Sequence, residues 1–260
     1  MHLPGDVHIL PTRDAVFEQL GQTFEQRARE AIDQRGVFHL ALSGGSTPEP
    51  FYALLVTDTR WRLFPWDKTH LWLVDERRVP ESDDKSNFKM IRESLADHVV
   101  MRKRQIHPMP VMEDDPATLY EAALAEAFEL PPPPEPPEGG GAGVPKMDVL
   151  LLGMGDDAHT ASIFPHSDAV GVRDRWVFVN AGEHVTPPDR VTLTYPVLNA
   201  ARHVAVLLSG AKKAATLQRV SQQLQQHGPD PAAMPITGVD PRPQGGTIGW
   251  YLDEAAAGKD

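Results

Sequence analysis

Short apolar runs rich in β-branched and aromatic residues alternate along this chain with longer stretches of helical period, and that alternation restricts the fold more than any other feature. Parallel strands need a long crossover between them, usually a helix, so the pattern is the sign of βαβ units. Apolar runs predict strands over 7–10, 37–42, 70–74, 147–152, 176–180, 191–194 and 204–208. A further run over 248–252 returns to the sheet or packs over it through Trp250, which reads as core. Helical spacing predicts helices over 13–34, 48–55, 86–95, 117–129 and 211–226, the first opened by Thr12 as N-cap. The expected architecture is α/β: a doubly wound, largely parallel twisted sheet with helices on both faces, Rossmann-like, that binds its ligand at the carboxyl ends of the strands.

Two stretches cannot be regular throughout. Residues 131–145 begin with a proline run and continue into glycines, a stiff-then-flexible connector to which no chemistry is assigned. Residues 228–246 carry five prolines. At 260 residues the simplest organisation is one α/β domain over 1–260.

Charge and composition narrow the function. A net charge of −11 argues against a general nucleic-acid or anionic-membrane surface, so an anionic substrate needs a local cluster of Arg and Lys. With no cysteine there is no disulfide, no thiolate catalysis and no Cys-based zinc site. Residues 1–10 hold no long apolar segment and no window approaches a membrane span, which makes the cytoplasm the expected location.

The most informative local stretch is Leu150-Leu-Leu-Gly153-Met-Gly155-Asp-Asp157-Ala-His159. A buried strand ends in a glycine turn that delivers an Asp and a His two residues apart, the spacing of an oriented acid-base pair. The same turn fits G-x-G-x-x-A, with Asp174 near the place of a ribose-binding acid. Asp156 and Asp157, however, set carboxylates where a pyrophosphate would need free N–H groups.

Three further constellations stand at predicted strand ends. Leu42-Ser43-Gly44-Gly45-Ser46-Thr47-Pro48 is a glycine loop with donors open to an anion, but without the spacing of a nucleotide-triphosphate loop. Asp75-Glu76-Arg77-Arg78 follows an apolar strand, and four such charges face either solvent or a polar cleft. Arg190 leads a predicted strand and Lys212-Lys213 follow another, at the sheet edge that carries the glycine loops. Cations converging there would clamp a phosphate.

Together these segments resemble one family, the 6-phosphogluconolactonases, within the larger group that includes the glucosamine-6-phosphate deaminases. The matching pieces run in family order from 42 to 256: the 42–48 loop, Asp75-Glu-Arg77 with Val79-Pro80 and Ser86-Asn87, the 153–165 segment, Arg190-Val-Thr192, Gly210-Ala-Lys-Lys213, and Trp250-Tyr-Leu-Asp253 with Ala255-Ala256. One position departs: the family usually has Gly where this chain has Ala158, which costs about 1 kcal/mol if that residue needs a positive φ.

The resemblance implies hydrolysis of 6-phospho-D-glucono-1,5-lactone to 6-phosphogluconate, in the oxidative pentose phosphate pathway, without metal or organic cofactor. It implies His159 as general base, Asp157 as its orienting partner, and Ser43, Gly44, Gly45, Ser46, Thr47, Arg190 and Lys213 as the phosphate site, with Lys212 the less favoured neighbour. Arg77 serves the phosphate or the developing oxyanion, with Asp75 and Glu76 expected to hold it in place. No nucleophilic serine is required, so Ser162 reads as packing or turn chemistry. The partner is a small phosphorylated lactone, with no nucleic acid and no membrane; oligomeric state is not readable. A deaminase acting on glucosamine 6-phosphate is the nearest alternative, but it has Asn-Glu-Pro where this chain has Ile163-Phe164-Pro165. A non-catalytic sugar-phosphate sensor would need a DNA-reading element, and no basic helix-turn-helix segment precedes residue 37.

Overall fold

The computed structural model describes residues 1–131, 143–182 and 185–259. The loop expected over 131–145 therefore lies, for 132–142, outside the described residues. In chain order the regular elements are β1 (Asp6–Leu10), α1 (Arg13–Arg35), β2 (Phe38–Leu42), α2 (Glu49–Thr57), β3 (Thr69–Leu73), β4 (Asp75–Arg77), α3 (Asn87–Ser94) and β5 (Ile106–His107). They continue with α4 (Pro116–Phe128), β6 (Val149–Leu152), β7 (Val177–Asn180), β8 (Arg190–Leu193), α5 (Tyr195–Ala200), β9 (His203–Leu208), α6 (Ala214–Gln226) and β10 (Thr247–Asp253).

Seven strands form one parallel sheet in the order β1-β10-β9-β6-β2-β3-β5. Every residue of β2, β6 and β9 is buried, as a parallel sheet covered on both faces requires. From β2 the chain grows outward to β3 and β5, then returns to lay β6 on the other side of β2. The order reverses between β2 and β6, so the crevice beyond their carboxyl ends is the topological switch point where such sheets bind ligands. The Ser43 and Gly153 loops leave the sheet there.

The predicted strands over 176–180 and 191–194 are strands but not members of that sheet. They are β7 and β8, which join β4 in a separate three-stranded antiparallel sheet of order β4-β8-β7. β4 itself, the short β5 and α5 were not anticipated. An Asp-Glu-Arg run carries no apolar signal, and α5 is only six residues long although Pro196 marks its first turn.

Local chemistry sets the element ends. Thr12 Oγ1 accepts from Ala15 N at 3.2 Å, and Gly36 closes α1 in the left-handed conformation at φ 77°. Ser86 caps α3 through Lys89 N, and Asp115 caps α4 through Thr118 N. The proline-rich 228–246 stretch contains two 3₁₀ turns, Pro235–Gly238 and Arg242–Gln244. One buried apolar core runs from Val16 to Ala256, and Trp250 lies in it, 1% exposed.

Candidate active site

The segment after β6 turns sharply. Three non-glycine residues there adopt positive φ, Ala158 at 67°, Ala161 at 50° and His166 at 61°, a concentration of strain typical of functional loops. The positive φ suspected at Ala158 is thus present. Backbone bonds hold the turn: Gly155 N to His159 O at 2.9 Å, and Ala158 N to Gly155 O at 3.1 Å. The 228–246 stretch braces it from behind, through Ile236 N to Ala158 O and His166 N to Ala232 O.

On this turn His159 Nδ1 lies 2.6 Å from Asp157 Oδ1, which also accepts the His159 backbone N–H at 3.1 Å. A carboxylate only accepts, so the neutral imidazole carries its proton on Nδ1 and leaves the Nε2 lone pair free. Burial alone would raise the Asp157 carboxyl, but the hydrogen bond and charge of His159 outweigh it and hold it at about 2. The aspartate is therefore ionised at neutral pH. Gly155 is required beside this pair, because a Cβ there would lie 2.1 Å from Nδ1 and 2.7 Å from Asp157 Oδ1.

His159 opens onto a cavity of about 480 Å³ lined by Ser43, Gly44, Gly45, Ser46, Thr47, Asp75, Arg77, Arg190 and Lys213, together with Asn87, Thr160, Ser162 and Phe164. The expected site residues Ser43 to Thr47, Arg77, Arg190 and Lys213 are thereby brought together around His159. Ser43 lines the cavity, but its hydroxyl is committed to Leu151 O at 2.6 Å while its carbonyl accepts from Tyr52 OH. Gly45 takes a φ of 113°, which suits glycine, and the loop leads into the uncapped N-terminus of α2.

Arg77 and Arg190 sit directly opposite each other across β4 and β8, so their side chains share one face. Arg190 is buried, and its desolvation and the Arg77 charge both lower its pKa. It donates to Pro187 O, Arg77 donates to Lys85 O at 2.6 Å, and among the described residues neither meets a carboxylate within 4.0 Å. The two cations thus lie side by side, one of them desolvated and neither in a salt bridge among the described residues, with Asp75, Glu76 and Asp189 acting on Arg190 from further away. Lys213 stands at the same cavity with its Nζ 2.7 Å from Asp156 Oδ1. Asp253 secures the preceding turn by accepting from Gly210 N and Ser209 Oγ. That role for the closing Tyr-Leu-Asp motif was signalled only by a charge inside an apolar run.

The expectation that Asp75 and Glu76 hold the Arg77 side chain is corrected. Glu76 is buried and accepts from the backbone N–H groups of Arg77, Asn87 and Phe88 and from Ser86 Oγ, all at 2.7 to 3.0 Å. It welds β4 to the start of α3 and leaves the guanidinium alone. Asp75 instead accepts from Ser162 Oγ at 2.5 Å, so Ser162 is more than a turn residue. Sequence reasoning gave no role to Asn87, which donates to Asp75 O and rests its Oδ1 against Gly44 without a hydrogen-bond partner.

The family model described as glucosamine-6-phosphate isomerases/6-phosphogluconolactonase matches residues 11–250. The chain belongs to that family. The 6-phosphogluconolactonase of Nostoc sp. is 37% identical over 253 residues, covering 96% of each chain. The 6-phosphogluconolactonase of Mycobacterium tuberculosis is 34% identical over 264 residues, covering 99% of each. Among solved structures, the 6-phosphogluconolactonase from Trypanosoma cruzi superposes with a TM-score of 0.82 at 25% identity, covering 99% of this chain and 97% of that one. A monomeric glucosamine-6-phosphate deaminase superposes at 0.74 with 17% identity, a likeness of fold alone. The ring of Phe164 packs 5.1 Å from the His159 ring.

Proposed function

We propose that this chain, as one α/β domain over 1–260, hydrolyses 6-phospho-D-glucono-1,5-lactone to 6-phosphogluconate. The observation that carries the proposal is the one cavity lined both by His159, whose Nδ1 is held by Asp157, and by the adjacent cations Arg77 and Arg190. Nε2 takes a proton from water as its oxygen attacks the lactone carbonyl, and Asp157 favours the imidazolium that forms. The tetrahedral oxyanion collapses, the ring C–O bond breaks, and the imidazolium returns its proton to the departing ring oxygen. Arg190, Lys213 and the 43–47 loop hold the phosphate and so position the carbonyl, while Arg77 serves the phosphate or the oxyanion.

The deciding assay follows the decay of freshly generated 6-phosphogluconolactone with and without protein, beside unphosphorylated gluconolactone. Acceleration confined to the phosphorylated lactone is the expected result, and folded protein that accelerates neither overturns the proposal. Arg190→Met is expected to raise KM by about 10- to 100-fold with a smaller effect on kcat, since a hydrogen bond to a charged group is worth about 1.5–3 kcal/mol. An unchanged KM for the phosphorylated substrate would remove Arg190 from the phosphate site. Gly155→Ala is expected to lower kcat by about 100-fold while the circular dichroism spectrum is retained, because the new Cβ pushes the imidazole off Asp157.

A further inference from the structure

At the end of the sheet opposite the His159 crevice, the amino ends of β2, β6 and β9 border a second cavity of about 560 Å³, a size that suits a small ligand. Half-buried Val37, Phe128, Leu130 and Val144 supply its apolar walls. Asp148, 3% exposed, organises the polar side. Its Oδ1 accepts from Arg35 at 2.7 Å and lies 3.2 Å from Arg202 Nε, while its Oδ2 accepts the His39 backbone N–H at 2.8 Å. One carboxylate thus holds two guanidiniums in place, and backbone bonds to Met147 and Thr247 pin Arg202 further. With Lys146 and Glu129, the described lining sets three cations against two carboxylates, a local positive excess on a chain of net charge −11. The Arg202 side chain is 45% exposed, and its two Nη groups make no hydrogen bond among the described residues.

A second observation points into the same space. His39 lines the cavity and is 7% exposed. Its Nδ1 lies 3.1 Å from Trp72 Nε1, and an indole nitrogen only donates, so Nδ1 is the acceptor. Burial first, and then the neighbouring His70 and His107, keep this imidazole neutral, which places its proton on Nε2. Among the described residues that N–H has no acceptor, and a buried donor left unpaired is costly.

The order of these groups selects the ligand. The neutral donor is the buried group, the cations are the exposed ones, and apolar walls lie in the same cavity. An alkyl carboxylate would satisfy the cations but leave the Nε2–H facing hydrocarbon. A sugar phosphate would set hydroxyls against the apolar walls. A nucleotide meets all three demands, because its base has an apolar face and ring acceptors and its phosphate carries the charge. We propose that this cavity is a nucleoside-monophosphate site, in which the base accepts the His39 Nε2–H beside Phe128 and Val37 and the phosphate is held by Arg202 and Lys146. The site stands independently of the lactonase reading.

The test titrates AMP, ribose 5-phosphate and decanoate calorimetrically into the full chain as wild type, Arg202→Gln, His39→Phe and Arg190→Met. AMP should bind the wild type, with ribose 5-phosphate at least about tenfold weaker for want of a base. Arg202→Gln should weaken AMP by about 10- to 100-fold, the worth of a hydrogen bond to a charged group, and leave lactone turnover unchanged because Arg35 still pairs with Asp148. His39→Phe keeps a ring in the wall without the donor and should weaken AMP by about tenfold, and Arg202→Gln carries the test if that variant does not fold. Arg190→Met should leave AMP affinity unaltered. AMP affinity that is lost in Arg190→Met and kept in Arg202→Gln would put the nucleotide in the His159 crevice and overturn the proposal. No binding of AMP, ribose 5-phosphate binding as tightly as AMP, or decanoate binding in its place would overturn it as well.

Discussion

His159→Asn is expected to leave the fold and the binding of 6-phosphogluconate intact while kcat falls by about 10²–10⁴-fold, the usual contribution of a positioned general base. Asparagine keeps a polar side chain of similar reach to Nδ1 but offers no basic atom where Nε2 stands, so affinity survives and proton abstraction does not. Asp157→Asn should cost a comparable factor by another route. An amide at this position can donate to Nδ1 and so stabilise the tautomer with its proton on Nε2, the wrong nitrogen to receive one from water. Single-turnover kinetics with product-binding calorimetry would separate the two quantities. A His159→Asn variant that turns over at the wild-type rate would end the assignment of His159 as base.

The second large effect is on stability, and its direction follows from imidazoles far from the site. His39 is 7% exposed, and its pKa is lowered to about 3, first by burial and then by its neighbours His70 and His107. His203 is 5% exposed and is lowered to about 4, chiefly by burial. An unfolded histidine titrates near 6.5, so between that pH and the folded values the unfolded chain binds more protons, and stability falls as the pH falls. At pH 5 each of these two groups costs about 2 kcal/mol, together a large fraction of the 5–15 kcal/mol typical of a domain. Burial raises the Glu76 and Asp148 carboxyls, which act in the opposite sense as they protonate. Urea unfolding at pH 7.5 and pH 5 should show the loss, and His39→Gln should remove only part of it, because burial also lowers His107 to about 4. A midpoint that does not move between those pH values would contradict the burial of these rings.

Most of the fold was legible because parallel strands buried on both faces read as continuous apolar runs and amphipathic helices read as a period. β2, β6, β9 and α1 appear within one or two residues of their expected ends. The Asp-His turn was legible for a related reason. Gly153, Gly155, Asp157 and His159 are neighbours in the chain, so their spacing alone dictates that Asp157 reaches Nδ1. The polar strand β4 was hidden because nothing apolar marks it, and the assignment of β7 and β8 to the main sheet failed because a strand's residues do not say which edge it pairs with.

Local sequence therefore determined the strand-to-loop turns and the oriented Asp-His pair, since each depends on covalent spacing and side-chain type over a few residues. Tertiary structure decided which charges meet. Arg77 faces Arg190, Asp75 takes its hydrogen bond from Ser162 and Glu76 caps α3 because β4 leaves the parallel sheet to pair with β8. That pairing is a long-range choice of sheet edge, made by the packing of the whole domain around the switch point between β2 and β6.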